Sequence, residues 1–136
     1  MISAHPLAGV YAAAVTPLKD DSTLDLDSVP ALANFLASRG CHGAVLFGTT
    51  GEGPSFSSKE RGEVMRALKE NRPAGSRLIA GTGTPSLTET IELTKSAFDL
   101  GYDAVLVLPP YYFRKATDDG LFNWFSEVIR KAVPAE

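Results

Sequence analysis

The amino-acid sequence predicts an α/β protein with a parallel sheet. Short apolar segments alternate with longer amphipathic segments four times along the chain, and parallel strands need such helical crossovers. Each apolar segment ends in glycine, proline or hydroxyl residues, as expected where a buried strand enters a loop. A weak internal repeat supports this construction, because the order of glycine, apolar strand and polar loop found from Gly40 recurs from Gly101. The 136 residues suffice for one domain with a substantial core.

The first unit combines a strand at residues 10–15 with an amphipathic helix. The strand ends at Thr16-Pro17, and either Asp25 or Asp27 is positioned to cap the helix. Gly40 lies where a glycine commonly ends a helix. The apolar residues between these limits recur at helical spacing and comprise Val29, Leu32, Ala33, Phe35 and Leu36.

The second unit contains the most informative segment of the chain. An apolar run at residues 44–47 predicts a strand buried on both faces, and it ends at Gly48. Thr49 and Thr50 follow, and Gly51 and Gly53 come directly after them. Glycine permits a left-handed backbone and close approach, so the adjacent hydroxyl and N–H groups suit a small anion. Glycines that serve only chain reversal are the alternative, and spacing alone does not separate the two hypotheses.

The last two units follow the same pattern. Strands are predicted at residues 78–81 and 104–108, and a final helix begins at Thr117-Asp118. Capping boxes are predicted where serine and glutamate lie three residues apart, at Ser57 with Glu60 and at Ser86 with Glu89.

Composition and charge narrow the classes of partner. The formal net charge is −3 and lysine and arginine form no cluster, which argues against a nucleic-acid or anionic-membrane surface. No apolar run approaches the ~20 residues of a membrane span, and the first residues lack the basic and apolar regions of a signal peptide. Cys41 is the single cysteine, so no intrachain disulfide forms. We therefore expect a cytoplasmic protein without nucleic-acid or membrane partners.

No metal or other cofactor is predicted. The two histidines and one cysteine are too dispersed for a metal-ligand cluster. The sequence has neither a Walker motif nor a Rossmann fingerprint, which argues against a nucleotide cofactor.

Two architectures fit four βα units. An open doubly wound sheet would be complete at this length, whereas a (β/α)8 barrel usually needs about 250 residues. Polar residues follow three of the predicted strands, at Thr16, at Thr49-Thr50 and at Tyr111-Tyr112. In a barrel the loops after the strands carry the functional residues, whereas in an open sheet ligands gather at one switch point. The three polar strand ends therefore favour half of a barrel.

Five segments occur in the order and spacing of one enzyme family: Val15-Thr16-Pro17, Gly48-Thr49-Thr50-Gly51-Glu52, Ile79-Ala80-Gly81-Thr82-Gly83, Pro110-Tyr111-Tyr112 and Asp119-Gly120-Leu121. With them the sequence resembles the dihydrodipicolinate synthase / N-acetylneuraminate lyase family over about residues 7–133. The resemblance implies a TIM barrel that assembles as a homotetramer, a dimer of dimers. It also implies a class I aldolase that binds pyruvate, or a related 2-oxo acid, as a Schiff base.

The resemblance also implies a missing half. The family's Schiff-base lysine lies on strand six and a further catalytic tyrosine on strand five, whereas this sequence reaches Glu136 where strand five is expected to begin. Residues 1–136 are therefore interpreted as the N-terminal half of a TIM-barrel aldolase domain, inactive alone by the family mechanism. Two alternatives stay open: a non-catalytic half-barrel that self-associates and binds a small carboxylate, and a complete open-sheet protein of another function.

The resemblance implies a role for each candidate site residue. Thr49 and Tyr112 are the catalytic candidates, the first in a hydroxyl relay and the second as a relay tyrosine that reaches into a neighbouring subunit. Thr50 binds the pyruvate carboxylate through its hydroxyl, helped by the backbone N–H groups of Thr49 and Thr50. Supporting roles are expected for Thr16, Gly48, Gly51, Glu52 and Tyr111.

The supporting roles are structural. Thr16 is expected to tie its loop to the site, Glu52 to hold the loop by hydrogen bonding, and Tyr111 to pack at an interface. Phe113 and Gly53 depart from the residues common at these positions in dihydrodipicolinate synthases. Both are expected near the site mouth, so the second substrate stays open among an aspartate semialdehyde, a sialic acid and a keto-deoxy sugar acid.

Overall fold

The computed structural model describes residues 5–134, which form four βα units. The strands are β1 (Tyr11–Ala13), β2 (Gly43–Leu46), β3 (Arg77–Gly81) and β4 (Ala104–Leu106). The helices are α1 (Ser28–Ser38), α2 (Ser58–Glu70), α3 (Leu87–Asp99) and α4 (Asp118–Ala132), and a short 3-10 helix covers Gly53–Ser55. The predicted order of strands and helices is confirmed.

The strand ends differ from the prediction for identifiable reasons. β1 and β4 are shorter than predicted, and both are outer strands that hydrogen-bond to a neighbour on one side only within residues 5–134. β2 ends at Leu46, one residue before the predicted end. Phe47 has a φ of 56° and so leaves the extended conformation that the ladder requires.

All neighbouring strands are parallel, and the sheet order is β1-β2-β3-β4. A doubly wound sheet reverses its strand order at a switch point, and this sheet has no such reversal in the described part of the chain. Each strand instead pairs with the strand that precedes it along the chain, as in a (β/α)8 barrel. The predicted fold class, half of such a barrel, is confirmed.

The two faces of the sheet differ in what covers them. Side chains alternate between faces along a strand. One face belongs to the buried core beneath the helices and carries Ala44, Leu46, Leu78 and Ala80. The strand register places a second row on the other face, formed by Ala13, Val45, Ile79 and Ala104. Ala13 is exposed and the other three are half-buried, so this face is open where a closed barrel has its interior.

Side-chain caps fix the start of α2 and α3. At α2 the predicted box is present, because the Ser57 hydroxyl accepts from the Glu60 N–H and the Glu60 carboxylate accepts from the Ser57 N–H at 2.8 Å. At α3 the Ser86 hydroxyl accepts from the Glu89 N–H. The Glu89 carboxylate, however, accepts from the Ser58 hydroxyl at 2.7 Å. The second predicted box is therefore only half formed, because its glutamate joins α3 to α2 instead.

Only one of the two residues predicted to cap α1 makes a side-chain capping hydrogen bond. Asp27 is the N-cap residue, but its side chain makes no capping hydrogen bond. The Asp25 carboxylate accepts from the Ser28 N–H at 3.2 Å and from the Ser28 hydroxyl at 2.6 Å. Asp25 is therefore the residue that supplies the cap.

Candidate functional site

A cleft of about 290 Å³ opens at the carboxyl ends of β2, β3 and β4. Its lining consists of Phe47, Gly48, Thr49, Glu52, Pro54, Ser55, Gly81, Gly83, Leu106 and Leu108. Three of the predicted site residues, Gly48, Thr49 and Glu52, are among them. The carboxyl ends of the strands are the face at which (β/α)8 barrels carry their active sites. The cleft is therefore the candidate site.

The turn after β2 has an unusual backbone. Phe47 and Glu52 have φ values of 56° and 51°, in the left-handed region that a bulky side chain rarely adopts. The Phe47 carbonyl oxygen lies only 2.3 Å from where a Cβ would stand at Gly53 or at Gly81. Glycine at position 53, a departure from the common family residue, thus has a steric reason in this chain. Such compressed backbone is found preferentially at functional sites.

Thr49 and Thr50 lie within this turn and have free hydrogen-bond donors. Both residues are exposed, and within residues 5–134 their hydroxyl and N–H groups donate to no protein acceptor. The Thr49 carbonyl oxygen accepts from the Glu52 N–H at 3.1 Å, which closes the turn beneath them. Thr49 lines the cleft, whereas Thr50 lies outside its lining. Adjacent free N–H and O–H donors of this kind are suited to an oxyanion.

Thr16 connects the loop after β1 to this turn. Its hydroxyl donates to the Gly51 carbonyl oxygen at 2.7 Å, which is the contact expected of it. A Cβ at Gly51 would stand 2.8 Å from the Ala14 carbonyl oxygen, so this position requires glycine. At Gly48 the nearest atom to an added Cβ is Leu106 Cδ2 at 3.8 Å, which is ordinary contact. Of the two predicted supporting glycines, Gly51 alone is sterically required.

Glu52 holds the turn through its backbone. Its N–H donates to Thr49, and its carbonyl oxygen accepts from the Ser55 N–H at 2.8 Å. The exposed Glu52 carboxylate accepts no hydrogen bond from residues 5–134. The loop contact predicted for this residue is therefore made by main-chain atoms rather than by the side chain.

The two tyrosines after β4 have different surroundings. Tyr111 is partly exposed and lies near Arg61 of α2, where it offsets part of the lowering of the Arg61 pKa that burial causes. Tyr112 is 76% exposed and packs edge-on against Phe113, with ring centroids 5.4 Å apart. Neither tyrosine lines the cleft. The structure thus brings the Thr49 turn and Thr16 together and leaves Tyr112 projecting from the surface.

Arg61 is a site residue that sequence reasoning missed. It is 3% exposed, and its guanidinium donates to the carbonyl oxygens of Gly53, Gly83 at 3.3 Å and Gly81 at 3.5 Å. The guanidinium carbon also lies 5.9 Å from the centre of the Phe47 ring. Burial lowers the pKa of Arg61 below its usual value, and Tyr111 and Glu89 partly offset this. Arginine stays protonated in proteins, so the cleft has a buried positive charge beneath it.

The sequence contained a signal for Arg61. The position falls on the same helical stripe as the buried residues Val64, Met65 and Leu68 of α2. A charge on an apolar stripe is unusual, because an arginine is rarely buried without a specific set of acceptors.

The remaining polar residues suggest no other site chemistry. Among residues 5–134, no three histidine, cysteine, aspartate or glutamate side chains gather as a metal site would need. No helix in this part of the chain is both long enough and apolar enough to span a membrane. A cavity of about 10 Å³ between β1, β2 and α1 is lined mainly by apolar residues and is a packing gap.

Comparisons with known proteins identify relatives of this chain. The model of the dihydrodipicolinate synthetase family matches residues 6–135. The chain is 41% identical over 119 residues to the 4-hydroxy-tetrahydrodipicolinate synthase of Corynebacterium urealyticum, covering 88% of this chain and 39% of the synthase. It is similar to the solved Proteus mirabilis N-acetylneuraminate lyase, with a TM-score of 0.85 and 31% identity over 93% of this chain and 43% of the lyase.

A third relative is YagE, a prophage protein of E. coli K12 solved in complex with pyruvate. Its TM-score is 0.87 with 27% identity over 93% of this chain and 42% of YagE. The chain thus spans between 39% and 43% of the length of these relatives. Since the family model matches nearly the whole sequence, this chain belongs to the dihydrodipicolinate synthetase family.

Proposed function

We propose that this chain supplies the 2-oxo-acid-binding half of a class I aldolase. Residues 1–136 are then the N-terminal half of a TIM-barrel domain in a cytoplasmic enzyme. A lysine outside them forms a Schiff base with pyruvate or a related 2-oxo acid. The synthase and lyase names of the relatives support this reaction class, and the pyruvate complex of YagE supports the substrate.

The observation that carries the proposal is the free donor set at Thr49 and Thr50. Their hydroxyl and N–H groups find no acceptor within residues 5–134, and Thr49 lines the cleft. A carboxylate accepts several hydrogen bonds, and charge-assisted bonds are stronger than neutral ones. Leu106 and Leu108 line the same cleft and give the short carbon chain an apolar wall. These groups together suit a small 2-oxo acid.

Schiff-base formation requires proton transfers that hydroxyl groups can mediate. The lysine amine adds to the ketone carbon to give a carbinolamine, and departure of its hydroxyl as water leaves the imine. In the proposal, Thr49 and Tyr112 relay the proton that this oxygen takes up. The 76% exposure of Tyr112 supports a role in the site of a neighbouring copy within a homo-oligomer, with Tyr111 packed at the interface.

Reductive trapping tests the proposal. The product of the complete gene is incubated with pyruvate and borohydride, which reduces an imine to a stable amine, and mass spectrometry locates the adduct. We expect one adduct per chain, on a lysine beyond residue 136. A gene product that contains such a lysine and forms no adduct contradicts the mechanism.

A matched pair of threonine variants tests the carboxylate site in the same protein. Thr50→Val keeps the shape but removes a hydroxyl donor, so we expect the affinity for pyruvate to fall by about tenfold. Thr88→Val is the control, because Thr88 is exposed on α3 and its side chain makes no hydrogen bond within residues 5–134. Equal losses in the two variants contradict the role of Thr50.

A second candidate function is a half-barrel that self-associates and binds a small carboxylate without covalent chemistry. The open row of Ala13, Val45, Ile79 and Ala104 favours it, together with the one-sided pairing of β1 and β4. It predicts that residues 1–136 form a folded dimer in sedimentation experiments and bind pyruvate without an adduct. A molten or aggregated monomer contradicts it.

A further inference from the structure

We infer that Arg61 is a positioning residue, which fixes the turns after β2 and β3 in the geometry that presents Thr49 and Thr50 to a ligand. The identity of that ligand rests on the proposed function, whereas the positioning role rests on the contacts of Arg61 alone. Arg61 lies in the first turns of α2, and its guanidinium reaches carbonyl oxygens in two different loops.

The contact with Gly53 controls the turn that contains both threonines. The Gly53 N–H donates to the Gly48 carbonyl oxygen at 3.3 Å, so the turn closes between these two glycines. Thr49 and Thr50 lie inside the closed segment. By binding the Gly53 carbonyl oxygen, Arg61 holds one end of this segment, and the orientation of the free N–H groups follows from it.

The contacts with Gly81 and Gly83 join the same guanidinium to the loop after β3. Both glycines line the cleft, whereas Gly53 does not. Arginine presents donors in a rigid planar fork, whereas lysine presents a single point charge on a flexible stem. The span across two loops therefore needs a guanidinium, and an ammonium group cannot reproduce it.

The electrostatics of Arg61 argue against a role in stability alone. It forms no direct ion pair with a carboxylate among residues 5–134, since Glu89 acts on it only from a longer distance, and its buried Nε has no hydrogen-bond partner there. Burial of a charge without a counter-ion is costly, and well-packed apolar residues of similar volume often serve stability as well or better. The carbonyl oxygens of the two turns are the groups that the guanidinium satisfies, which is what a positioning role requires.

Hydrogen exchange of the product of the complete gene, measured without ligand, tests this inference. The reporters, compared with the amides of β2 and β3 in the same sample, are the hydrogen-bonded amides of the two turns: Glu52, Gly53, Ser55, Phe56, Thr82 and Thr84. In Arg61→Met we expect exchange in the two turns to accelerate by about tenfold relative to the strands, because the charged hydrogen bonds are lost. In Arg61→Lys we also expect faster exchange in the two turns, because an ammonium group keeps the charge but lacks the planar guanidinium that bridges the loops.

Met65→Ala is the matched control, because Met65 lies one helical turn further on the same buried stripe and leaves a cavity in the core. We expect it to lower stability without a change in the ratio of turn to strand exchange. A ratio that rises equally in Met65→Ala and Arg61→Met overturns the inference, and so does an unchanged ratio in Arg61→Met.

Chemical rescue adds a readout that a purely structural role does not move. In Arg61→Ala we expect millimolar guanidinium chloride to restore slow exchange in the two turns, with sodium chloride at equal concentration as the control. Absence of rescue in a folded Arg61→Ala chain overturns the inference.

Pyruvate titration of the wild-type chain separates the inference from the proposed function. If the wild-type protein binds no pyruvate but the turns loosen in Arg61→Met, the positioning role is supported and the proposed 2-oxo-acid ligand is contradicted. If the wild-type protein binds pyruvate but the turns stay ordered in Arg61→Met, the positioning role is overturned and the proposed function is unaffected.

Discussion

The two ends of the sheet are held together by different kinds of contact. At the amino ends of the strands, side chains bind backbone groups: the Asp103 carboxylate accepts from the Leu78 N–H at 2.8 Å and from Arg72 at 2.7 Å. The His42 ring nitrogen Nδ1 likewise accepts from the Val10 N–H at 2.9 Å. At the carboxyl ends, backbone carbonyl groups pack against glycines and around one buried guanidinium.

This difference between the two ends indicates where the chain has free hydrogen-bond donors for a ligand. The contacts at the amino ends pair side chains with backbone N–H groups of the strands, as expected of the face of a barrel that serves stability. At the carboxyl ends, the side chains of Thr16 and Arg61 bind carbonyl oxygens of the turns, which leaves the donors of Thr49 and Thr50 free. Four substitutions test this contrast, in order of decreasing expected effect.

Gly81→Ala tests the crowding at the carboxyl ends. A Cβ at position 81 would stand 2.3 Å from the Phe47 carbonyl oxygen and 2.9 Å from that of Leu46, and neither backbone group can rotate away. We expect the free energy of unfolding to fall by about 3 kcal/mol or more. Urea denaturation followed by circular dichroism measures the change.

Gly48→Ala is the control for this crowding, because its added Cβ meets only Leu106 at 3.8 Å. We expect the free energy of unfolding to change by less than about 0.5 kcal/mol. A loss as large as that of Gly81→Ala would show that the close approach of the Phe47 carbonyl oxygen is not what destabilises Gly81→Ala.

Asp103→Ala tests the amino ends. It leaves the Leu78 N–H without its partner and removes the half-exposed ion pair with Arg72, so we expect a loss of about 2 kcal/mol in the free energy of unfolding. Asp20→Ala, at an exposed loop carboxylate, is the control and is expected to be neutral. If the two variants unfold at the same urea concentration, the Asp103 contacts do not hold this end.

Thr16→Val tests the one side-chain contact described here that closes the Thr49 turn from the neighbouring loop. The variant removes the hydrogen bond to the Gly51 carbonyl oxygen, and we expect a loss of about 1 kcal/mol in the free energy of unfolding. Pyruvate affinity is expected to fall with it, because the turn loosens. An unchanged affinity and an unchanged unfolding midpoint would together contradict the link between the two loops.

Glu60→Gln tests the pH dependence of the α2 cap and has the smallest expected effect. Hydrogen bonds from the hydroxyl and N–H of Ser57 lower the pKa of Glu60 in the folded state. Its stabilising contribution is therefore complete above the unfolded pKa of about 4.3 and is lost as the pH falls through the lower folded value. We expect Glu60→Gln to lose less stability than the wild type between about pH 6 and pH 3. Glu70→Gln, at the other end of α2, is the control, and an identical pH profile for the two variants would contradict the prediction.

The sequence predicted the fold well because local signals and the global pattern agree. Alternating apolar runs gave the strands, serine and glutamate pairs gave the helix starts, and Gly-Thr-Thr-Gly marked the turn at the cleft. The strand ends were harder to predict from the sequence, because the positive φ of Phe47 accompanies its close packing against Gly53 and Gly81 rather than a local preference of phenylalanine.

The site was predicted in part for the same physical reason. Thr16 and the Thr49 turn lie in loops directly after strands, where chain order fixes their neighbours. Arg61 acts on one loop 8 residues away and on another 20 to 22 residues away along the chain, and its partners are carbonyl oxygens, which every residue type carries. No pattern of side chains can reveal such partners in advance. The single warning was a charge in an apolar helical stripe.

The sequential strand order has a consequence for how the chain is made. Because every strand pairs with the one translated just before it, each βα unit can dock on its predecessor while the ribosome is still adding the next. Growth of the sheet is then vectorial, because within residues 5–134 no later strand inserts between two earlier ones. Synthesis itself would set the order of assembly.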